Sequence, residues 1–543
     1  MSQTVIHPAA TLEKLNPANE TPLPTVPVAT SEDVQRALER AKALFKSVNS
    51  TASACPRHRR QIAQVLKTVS RQLLRRSAFW SDLLAQEVGK PAFEAIGGDV
   101  MTATSWLDYC AKHGPSLLDE KPIIARMAQV LGRRIHTRRA PFGVAAVITP
   151  WNYPLGISVS GISTALMGGN AVVFKPSELT PGVGEAVASL FREALVEHSL
   201  SPDWVQCLQG DGHVGAMLTH HPEVDIAVFT GSEVTGRNVQ AALQARGKTA
   251  ILELGGNDAM LVLPDVAPTE AQIDTLASTA VWGRCVNAGQ TCCAVKRLWV
   301  HRSLAQPLIE SIADKMNRIV VGSPDDAASQ MGPLISRAAL KKITEQVQDA
   351  IDLGAKVLAG GYPLDGPGYF YPPTLLVDVA EAARVLNEEV FAPVLPVIVY
   401  QDIDTTIELI NKTNLGLSAS IFGPVAQAKD LACRINSGTI SINGLPHMNF
   451  GLPQIPWVSW GRSGPGVSHS EAGLLALTQP QIITTEETAQ KQSWFYLAKP
   501  QKDGAALALA MAQCMGAASF AGKLKALPEV VFRVLKNKLT PKL

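Results

Sequence analysis

Short apolar runs alternate with helical patterns through the first half of this chain, and this alternation constrains the fold more than any other feature. The runs are residues 143–149, 171–175, 205–208, 226–229 and 251–254. Turn residues and a helical spacing of apolar side chains separate them, which is typical of parallel strands joined by helices. The sequence therefore predicts an α/β fold with a doubly wound, Rossmann-type sheet, in which ligands bind beyond the carboxyl ends of the strands.

A second α/β pattern follows the first. Its predicted strands are residues 260–263, 295–301, 394–400 and 439–443. A chain of 543 residues is longer than one hydrophobic core usually organises, so two or three domains are expected.

Charge and cysteine usage exclude several classes of function. The chain has 49 Lys and Arg against 47 Asp and Glu, a net charge of +2 that supplies no attractive field for nucleic acid. We therefore expect small molecules or further copies of the chain as partners. The eight cysteines include no C-x-x-C pair, so neither a disulfide framework nor a metal site is predicted. The N-terminus has no basic cluster followed by an apolar run, and the interpretation is a cytoplasmic protein.

A loop of small residues ending in a thiol lies between a helical run and a strand in this second pattern. It spans residues 287–293 and reads NAGQTCC. A glycine-flanked turn with exposed backbone amides can lower a cysteine pKa and bind an oxyanion, which makes Cys292 a candidate nucleophile. The loop alone leaves a second interpretation open, in which Cys292 and Cys293 are two small buried apolar residues.

Six further stretches occur in a fixed order around this loop. They are PFGV at 141–144, ITPWNYP at 148–154, FKPSE at 174–178, FTGS at 229–232, ELGGN at 253–257 and EEVFAP at 388–393. Together with the loop, they resemble the aldehyde dehydrogenase superfamily from about residue 16 to residue 483. The resemblance implies an NAD-binding domain at 1–120 and 142–255, and a catalytic domain at 256–463. It also implies a small oligomerisation element at 121–141 and 464–483, and hence a homodimer or homotetramer.

The resemblance implies three catalytic residues. Cys292, placed by the family's G-Q-x-C pattern, would attack an aldehyde carbonyl, with Cys293 as a competitor one residue too late. Asn152 and the Cys292 backbone N–H would bind the oxyanion. Glu253, at the end of an apolar strand, would be the base that activates water for thioester hydrolysis, because an apolar setting raises a carboxyl pKa towards neutrality.

Cofactor binding is implied by the same comparison. Lys175 and Glu178 would hydrogen-bond the adenosine ribose, and Glu178 would repel a 2′-phosphate, which favours NAD with NADP as the alternative. Residues 210–215 satisfy G-x-G-x-x-G, a weak signal that we interpret as a turn beside the cofactor. The other implied cofactor contacts are Thr149, Pro150, Trp151, Ser177, Gly212, Gly231, Ser232, Glu389 and Phe391.

The chain also departs from the family pattern. Residues 463–469 lack the Arg-Glu pair that many members carry, and resemble the branch that handles fatty, aromatic and apocarotenoid aldehydes. Gly161 replaces a frequent lysine, which puts a Lys/Glu proton relay in doubt. The predicted substrate is a hydrophobic aldehyde, oxidised to the acid. Two rival hypotheses are a cysteine hydrolase or acyltransferase, which would not need Lys175 and Glu389, and a non-catalytic binding protein on the same fold.

Residues 484–543 extend beyond the resemblance. Positions 504–522 carry no charged residue, and a lysine-rich tail follows them. An apolar helix with a basic tail suits peripheral contact with a membrane surface. It equally suits a helix packed on another subunit or over the substrate tunnel.

Overall fold

The computed structural model describes residues 10–48, 54–125, 133–266 and 269–486, and a few positions between 509 and 532. The described residues form two compact units. The first comprises residues up to 121 together with 137–482, and the second comprises 122–136 together with residues from 483 onward. The second unit contains the backbone hydrogen bond from Ile123 N to Ile135 O. The predicted helix at 504–522 lies largely outside the described residues.

Five parallel strands form the first sheet of the larger unit. They are β1 (Val144–Ile148), β2 (Ala171–Lys175), β3 (Val205–Cys207), β4 (Ile226–Thr230) and β5 (Thr249–Glu253). Their order is β3-β2-β1-β4-β5. Strands β1 and β2 are fully buried runs of apolar residues, as expected for a parallel sheet covered on both faces. The predicted doubly wound fold is confirmed.

The register of this sheet places the carboxyl ends of its strands side by side. Ile148 pairs with Lys175 across β1 and β2, and Thr230 pairs with Glu253 across β4 and β5. The chain reverses its winding direction at β1, between β2 and β4. In open α/β sheets this is the crevice in which ligands bind.

Helices cover both faces of the first sheet. Their bounds are Ser31–Val48, Ala54–Arg75, Ser77–Val88, Thr102–Leu117, Pro154–Gly168, Pro181–Glu197, Gly212–His220 and Glu233–Gln244, with a short helix at Ala92–Glu94 and a π-helix at Ala95–Met101. Their inward faces pack with the strands into one core, in which Trp106, Phe174 and Phe191 are fully buried.

Seven strands form the second sheet. They are β6 (Ala259–Val262), β7 (Arg297–His301), β8 (Lys356–Ala359), β9 (Thr374–Val377), β10 (Val394–Tyr400), β11 (Ser418–Phe422) and β12 (Thr439–Ile442). Their order is β8-β9-β10-β7-β6-β11-β12, and only the β8–β9 pair is antiparallel. The sequence predicted four of them. Strand β8 was missed because it is a mostly exposed edge strand, and β11 because it alternates serine with apolar residues. Strand β9 was missed because it directly follows two prolines, which are typical of a turn.

The helices of this second region are longer at its start and shorter towards its end. Their bounds are Glu270–Cys285, Arg302–Arg318, Arg337–Asp352, Arg384–Asn387, Ile403–Asn411, Val425–Ala432, His447–Phe450 and Ser470–Ala476. Short strands pair Thr11–Leu12 with Val26–Pro27, Leu415–Gly416 with Trp460–Gly461, and Trp457–Val458 with Val467–Ser468. Three further strands are Lys121–Pro122, Arg133–Pro141 and Thr478–Glu486. Within the described part of the chain, every helix is too short or too polar to cross a membrane.

Candidate active site

A left-handed turn precedes the candidate nucleophile. After the helix Glu270–Cys285 ends, Asn287, Ala288 and Gly289 have φ angles of 55°, 51° and 73°. Two consecutive non-glycine residues in this region are uncommon, and such backbone persists only where its surroundings hold it. The Glu94 carboxylate accepts the Asn287 N–H at 2.9 Å, and Gln290 Oε1 accepts the Ile335 N–H at 2.8 Å. These buried contacts fix the loop that carries Cys292.

Gly289 allows a second loop to approach closely. A Cβ atom on Gly289 would lie 2.4 Å from the main-chain carbonyl of Ala392, so any side chain there would displace one of the two loops. The approaching loop carries Glu389 and Phe391, both predicted cofactor residues. The Phe391 ring packs edge-on against Trp151, with ring centroids 5.6 Å apart. The nucleophile loop and the predicted nicotinamide-side residues are therefore neighbours.

Asn152 lies against the nucleophile loop. Its side chain is buried, and Nδ2 donates a hydrogen bond to Gln290 O at 3.0 Å. Asn287 Nδ2 donates to Asn152 O at 2.9 Å, so hydrogen bonds in both directions join the two loops. Among the described residues, the Cys292 N–H donates to no protein acceptor. The structure thus brings the predicted oxyanion donors to the same place.

Cys292 and Glu253 line one cavity. Aromatic and aliphatic side chains dominate the cavity walls, and hydroxyl groups supply most of its remaining polarity. The aromatic lining residues are Phe450, Trp457 and His469, and the hydroxyl-bearing ones include Thr149, Ser160, Thr164 and Ser468. None of the described lining residues is a lysine or an arginine. The described lining therefore offers no lysine or arginine partner for an anionic group.

The two neighbouring thiols differ in their electrostatic surroundings. The hydrogen bond from Cys293 lowers the pKa of Cys292, burial opposes it, and the Lys296 ammonium lowers it further. The same thiol–thiol hydrogen bond raises the pKa of Cys293 well above its usual value, and burial adds to it. Cys292 is also half-buried where Cys293 is buried. At neutral pH the nucleophilic thiolate is thus favoured on Cys292.

Burial raises the pKa of the Glu253 carboxyl well above its usual range, and the Cys292 thiolate raises it further. The Ser468 and Ser459 hydroxyls lower it in part. A raised pKa makes a carboxylate a stronger base, which is the property that a general base requires.

The predicted adenosine-binding residues gather at the carboxyl ends of the first sheet. Lys175 Nζ lies 3.7 Å from Glu178 Oε2, and Glu178 is 43% exposed. The turn at 210–215 lies beside Lys175, because a Cβ atom on Gly215 would be 3.6 Å from Lys175 Cδ. Asp211 caps the helix that Gly212 begins.

The helix Glu233–Gln244 begins just after β4 of the same sheet. Ser232 is its N-cap and accepts the Thr235 N–H at 3.3 Å, and the Gly231 N–H donates to Glu253 O at 3.1 Å. An exposed carboxylate beside a buried lysine and a capped helix N-terminus fit a dinucleotide at the switch point of the sheet.

Other predicted cofactor residues have protein partners of their own. Thr149 Oγ1 contacts Ser158 Oγ at 2.8 Å and lines the cavity, and Ser177 Oγ accepts the Leu179 N–H at 3.2 Å. Pro150 follows β1 and is half-buried. Glu389 Oε1 accepts the Gly256 N–H at 3.2 Å.

Sequence reasoning missed two residues at this site. Lys296 has a fully buried side chain beneath the nucleophile loop. The only sequence signal is a lysine immediately before a buried strand. His469 lines the cavity with a φ of 61°, and burial lowers its pKa to about 4. No local sequence pattern predicts a histidine in a left-handed conformation.

Comparisons with known proteins agree with this geometry. The sequence profile described as "Aldehyde dehydrogenase family" matches residues 6–483. The chain is 32% identical to a succinate-semialdehyde dehydrogenase [NADP(+)] of Deinococcus radiodurans, over 90% of this chain and 98% of the relative. It is 32% identical to a betaine aldehyde dehydrogenase of Vibrio vulnificus, over 87% and 93%. Among solved structures, the NAD+ complex of an aldehyde dehydrogenase from Bacillus cereus superposes with a TM-score of 0.80, at 27% identity over 88% of this chain and 94% of that one.

A match over nearly the whole described chain, in sequence and in fold, agrees with the order of motifs and with the grouping of Cys292, Glu253 and Asn152. The chain belongs to the aldehyde dehydrogenase family, whose members oxidise aldehydes to carboxylic acids with a nicotinamide cofactor.

Proposed function

We propose that this enzyme oxidises a hydrophobic, uncharged aldehyde to the carboxylic acid, using NAD as cofactor and Cys292 as nucleophile. The observation that carries the proposal is that Cys292 and Glu253 line one apolar cavity. A thiol and a base with shifted pKa values in one cavity are the groups that covalent oxidation of an aldehyde requires.

Covalent bond formation is the first step. The Cys292 thiolate attacks the aldehyde carbon, which forms a C–S bond and leaves the charge on the carbonyl oxygen. Asn152 Nδ2 has two N–H groups, and its hydrogen bond to Gln290 O uses one of them. The other N–H and the Cys292 backbone N–H are the donors for the oxyanion. Losing such a donor typically lowers the rate on the order of 100- to 1,000-fold.

Hydrolysis is the second task of the site. NAD, held by the residues named below, would supply the acceptor for the hydride that the thiohemiacetal loses, so that Cys292 would then carry a thioester. Glu253 removes a proton from water, the resulting hydroxide adds to the thioester carbon, and the C–S bond breaks to release the acid and the thiolate. The raised pKa of Glu253 supports this role, because a carboxyl with an ordinary pKa is a weak base at neutral pH.

The residues that would hold NAD are those at the switch point. Lys175 and Glu178 would bind the adenosine ribose, and the N-terminus of the helix after Ser232 would face the pyrophosphate. Glu389 would bind the nicotinamide ribose beside Phe391. Glu178 supports NAD over NADP, since its carboxylate is exposed at the position that a 2′-phosphate would approach.

The cavity lining supports a hydrophobic substrate. The named relatives act on succinate semialdehyde, which carries a carboxylate, and betaine aldehyde, which carries a quaternary ammonium. A carboxylate bound in this cavity would lack a cationic partner among the described lining residues, and His469 is neutral near pH 7. Burying an unpaired charge is unfavourable, so an uncharged apolar chain fits better than a carboxylate.

An activity screen tests this proposal. Straight-chain and aromatic aldehydes of increasing size are compared with succinate semialdehyde and betaine aldehyde, with NAD and with NADP, by following reduced cofactor. We expect the highest kcat/KM with an apolar aldehyde and NAD. Faster turnover of either charged aldehyde would contradict the substrate assignment.

The nucleophile assignment has its own pair of variants. Cys292→Ala should abolish dehydrogenase and esterase turnover, whereas Cys293→Ala should retain most of both. Equal losses in the two variants would contradict it.

We also propose a cytoplasmic homodimer or homotetramer with the domain and oligomerisation boundaries given above.

Residues 484–543 would pack on another subunit or over the substrate tunnel, or they would contact a membrane surface peripherally. A chain truncated after residue 483 should assemble more weakly or lose its preference for long aldehydes. The intact chain should show at most salt-sensitive sedimentation with anionic vesicles. Identical behaviour of the two chains in all three assays would contradict a role for the extension.

A further inference from the structure

A buried lysine lies directly beneath the nucleophile loop. The Lys296 side chain is 0% exposed. Its Nζ donates to Thr291 O at 3.3 Å and also hydrogen-bonds Cys292 O. The same Nζ lies 3.6 Å from Glu389 Oε1. One ammonium group therefore contacts the main chain of the nucleophile and the carboxylate proposed to bind the nicotinamide ribose.

Glu389 is held on the inner side of the site in this structure. Its Oε1 accepts the Gly256 N–H at 3.2 Å, and a Cβ atom on Gly255 would lie 2.2 Å from Glu389 Oε2. Its side chain is 28% exposed, so the carboxylate also has access to solvent. A carboxylate that binds a ribose must direct its oxygens at the hydroxyls. Contact with the ribose therefore competes with contact to Lys296.

Five ionisable groups surround the Cys292 thiol. Lys296 is the cation among them, and Asp258, Glu389, Glu253 and Cys293 are the acids. The Asp258 carboxyl is buried and accepts the Ser418 hydroxyl, and its pKa is raised to about 6 by burial and lowered in part by Lys296.

Two further basic groups lie close by. Arg284 donates to Gly289 O, and His447 stays neutral because burial, Lys296 and Arg284 lower its pKa to about 3. Buried charges of this kind are stabilised only by their partners, so removing one partner changes the field at the others.

We propose that Lys296 is a positioning residue that couples the ribose-binding carboxylate Glu389 to the nucleophile Cys292. This inference rests on the proposed function, since it uses the roles of Cys292 and Glu389. While Glu389 faces Lys296, its negative charge offsets the ammonium and disfavours a thiolate on Cys292. When Glu389 turns to the cofactor ribose, Lys296 keeps its contacts to the loop and stabilises the thiolate. The thiol is thus most ionised when cofactor is in place.

Two variants should shift the pKa of the Cys292 thiol in opposite directions. Lys296→Met removes the cation at similar length, and Glu389→Gln removes the opposing anion with the same shape. The readout is the pH dependence of Cys292 alkylation by iodoacetamide in cofactor-free enzyme. Tandem mass spectrometry assigns the label to Cys292 or Cys293. We expect the pH midpoint of Cys292 alkylation to rise in Lys296→Met and to fall in Glu389→Gln. A nearby charge typically shifts a pKa by about one unit or more, which corresponds to a roughly tenfold change in alkylation rate below the midpoint.

A matched control and a cofactor arm complete the experiment. Lys356→Met removes an exposed lysine paired with Asp378 at 2.9 Å and should leave the alkylation profile unchanged. Saturating NAD should lower the midpoint of the unaltered enzyme and leave that of Lys296→Met unchanged.

Midpoints that move in the same direction in both variants, or that do not move, would overturn the proposal, because general loosening of the loop cannot produce opposite shifts. If Lys296→Met does not fold, Glu389→Gln decides: a lower midpoint supports the coupling, and an equal or higher one overturns it. Alkylation needs no aldehyde turnover. Failure of the proposed function would therefore appear in the substrate screen and leave these midpoints unaffected.

Discussion

Replacement of Glu94 by Gln tests how the nucleophile loop is held. The Glu94 carboxylate is 9% exposed, and it accepts the Asn287 N–H at the start of the left-handed turn. Burial raises its pKa from 4.5 to about 7, and the Asn287 hydrogen bond and Lys90 lower it in part. Gln retains an acceptor oxygen and cannot ionise. The variant therefore separates the charge of Glu94 from its hydrogen bond.

The size of the change in folding stability with pH follows from the difference in the Glu94 pKa between the folded and unfolded states. The pKa is higher in the folded chain, so the folded state holds the proton more tightly than the unfolded state does. The resulting stability is fully present below about pH 4.5 and is lost as the pH rises through about 7. A pKa difference of about 2.5 corresponds to roughly 3 kcal/mol. Of this, about 2 kcal/mol is lost between about pH 5.5 and pH 8.

Urea unfolding at these two pH values, at one protein concentration, measures the effect. The free energy of unfolding of Glu94→Gln, relative to the unaltered enzyme, should be higher at pH 8 than at pH 5.5 by about 2 kcal/mol. Glu408→Gln, at an exposed position, serves as the control and should show no such change. Glu94→Gln should also keep dehydrogenase activity. Glu94→Ala should lose it, because alanine has no oxygen to accept the Asn287 N–H. If the free energies of unfolding of Glu94→Gln and the unaltered enzyme differ by the same amount at both pH values, the reasoning is wrong.

Three further predictions address the chemistry. Glu253→Gln should preserve a rapid first burst of reduced cofactor in stopped flow and slow the steady state, with acyl-enzyme detectable by mass spectrometry; absence of both would mean that Glu253 mainly activates the thiol. Glu178→Gln should lower KM for NADP more than KM for NAD, and equal changes would contradict a charge-based preference. Gly289→Ala should lower kcat and the thermal midpoint together, because it combines a φ of 73° with a 2.4 Å approach to Ala392. Gly247→Ala, at a similar φ of 66° but with open space around it, is the matched control.

Much of the first sheet could be predicted because its information is local. Strands β1 and β2 are uninterrupted apolar runs bounded by turn residues, and the structure places them within a residue of the predicted limits. The second sheet was predicted less completely. Strand β11 reads SASIF and becomes a central strand only because its neighbours β6 and β12 bury it.

The candidate site shows the same division. The order of motifs was enough to single out Cys292, Glu253 and Asn152, and the structure brings all three to one place. The choice between Cys292 and Cys293 is different. It depends on the exposure of each thiol and on the charged groups around it, and adjacent identical residues carry no such information in sequence.

The sequence by itself determined the α/β class, the winding of the first sheet and the loop that presents a thiol after a glycine turn. Periodicity, turn chemistry and the spacing of motifs are properties of neighbouring residues, so they can be read along the chain. Only the tertiary structure decided the apolar lining of the cavity, the raised pKa of Glu253 and the position of Lys296 between Cys292 and Glu389. Those properties depend on desolvation and on distances between residues far apart in sequence, and both arise only when the two sheets and their loops are packed together.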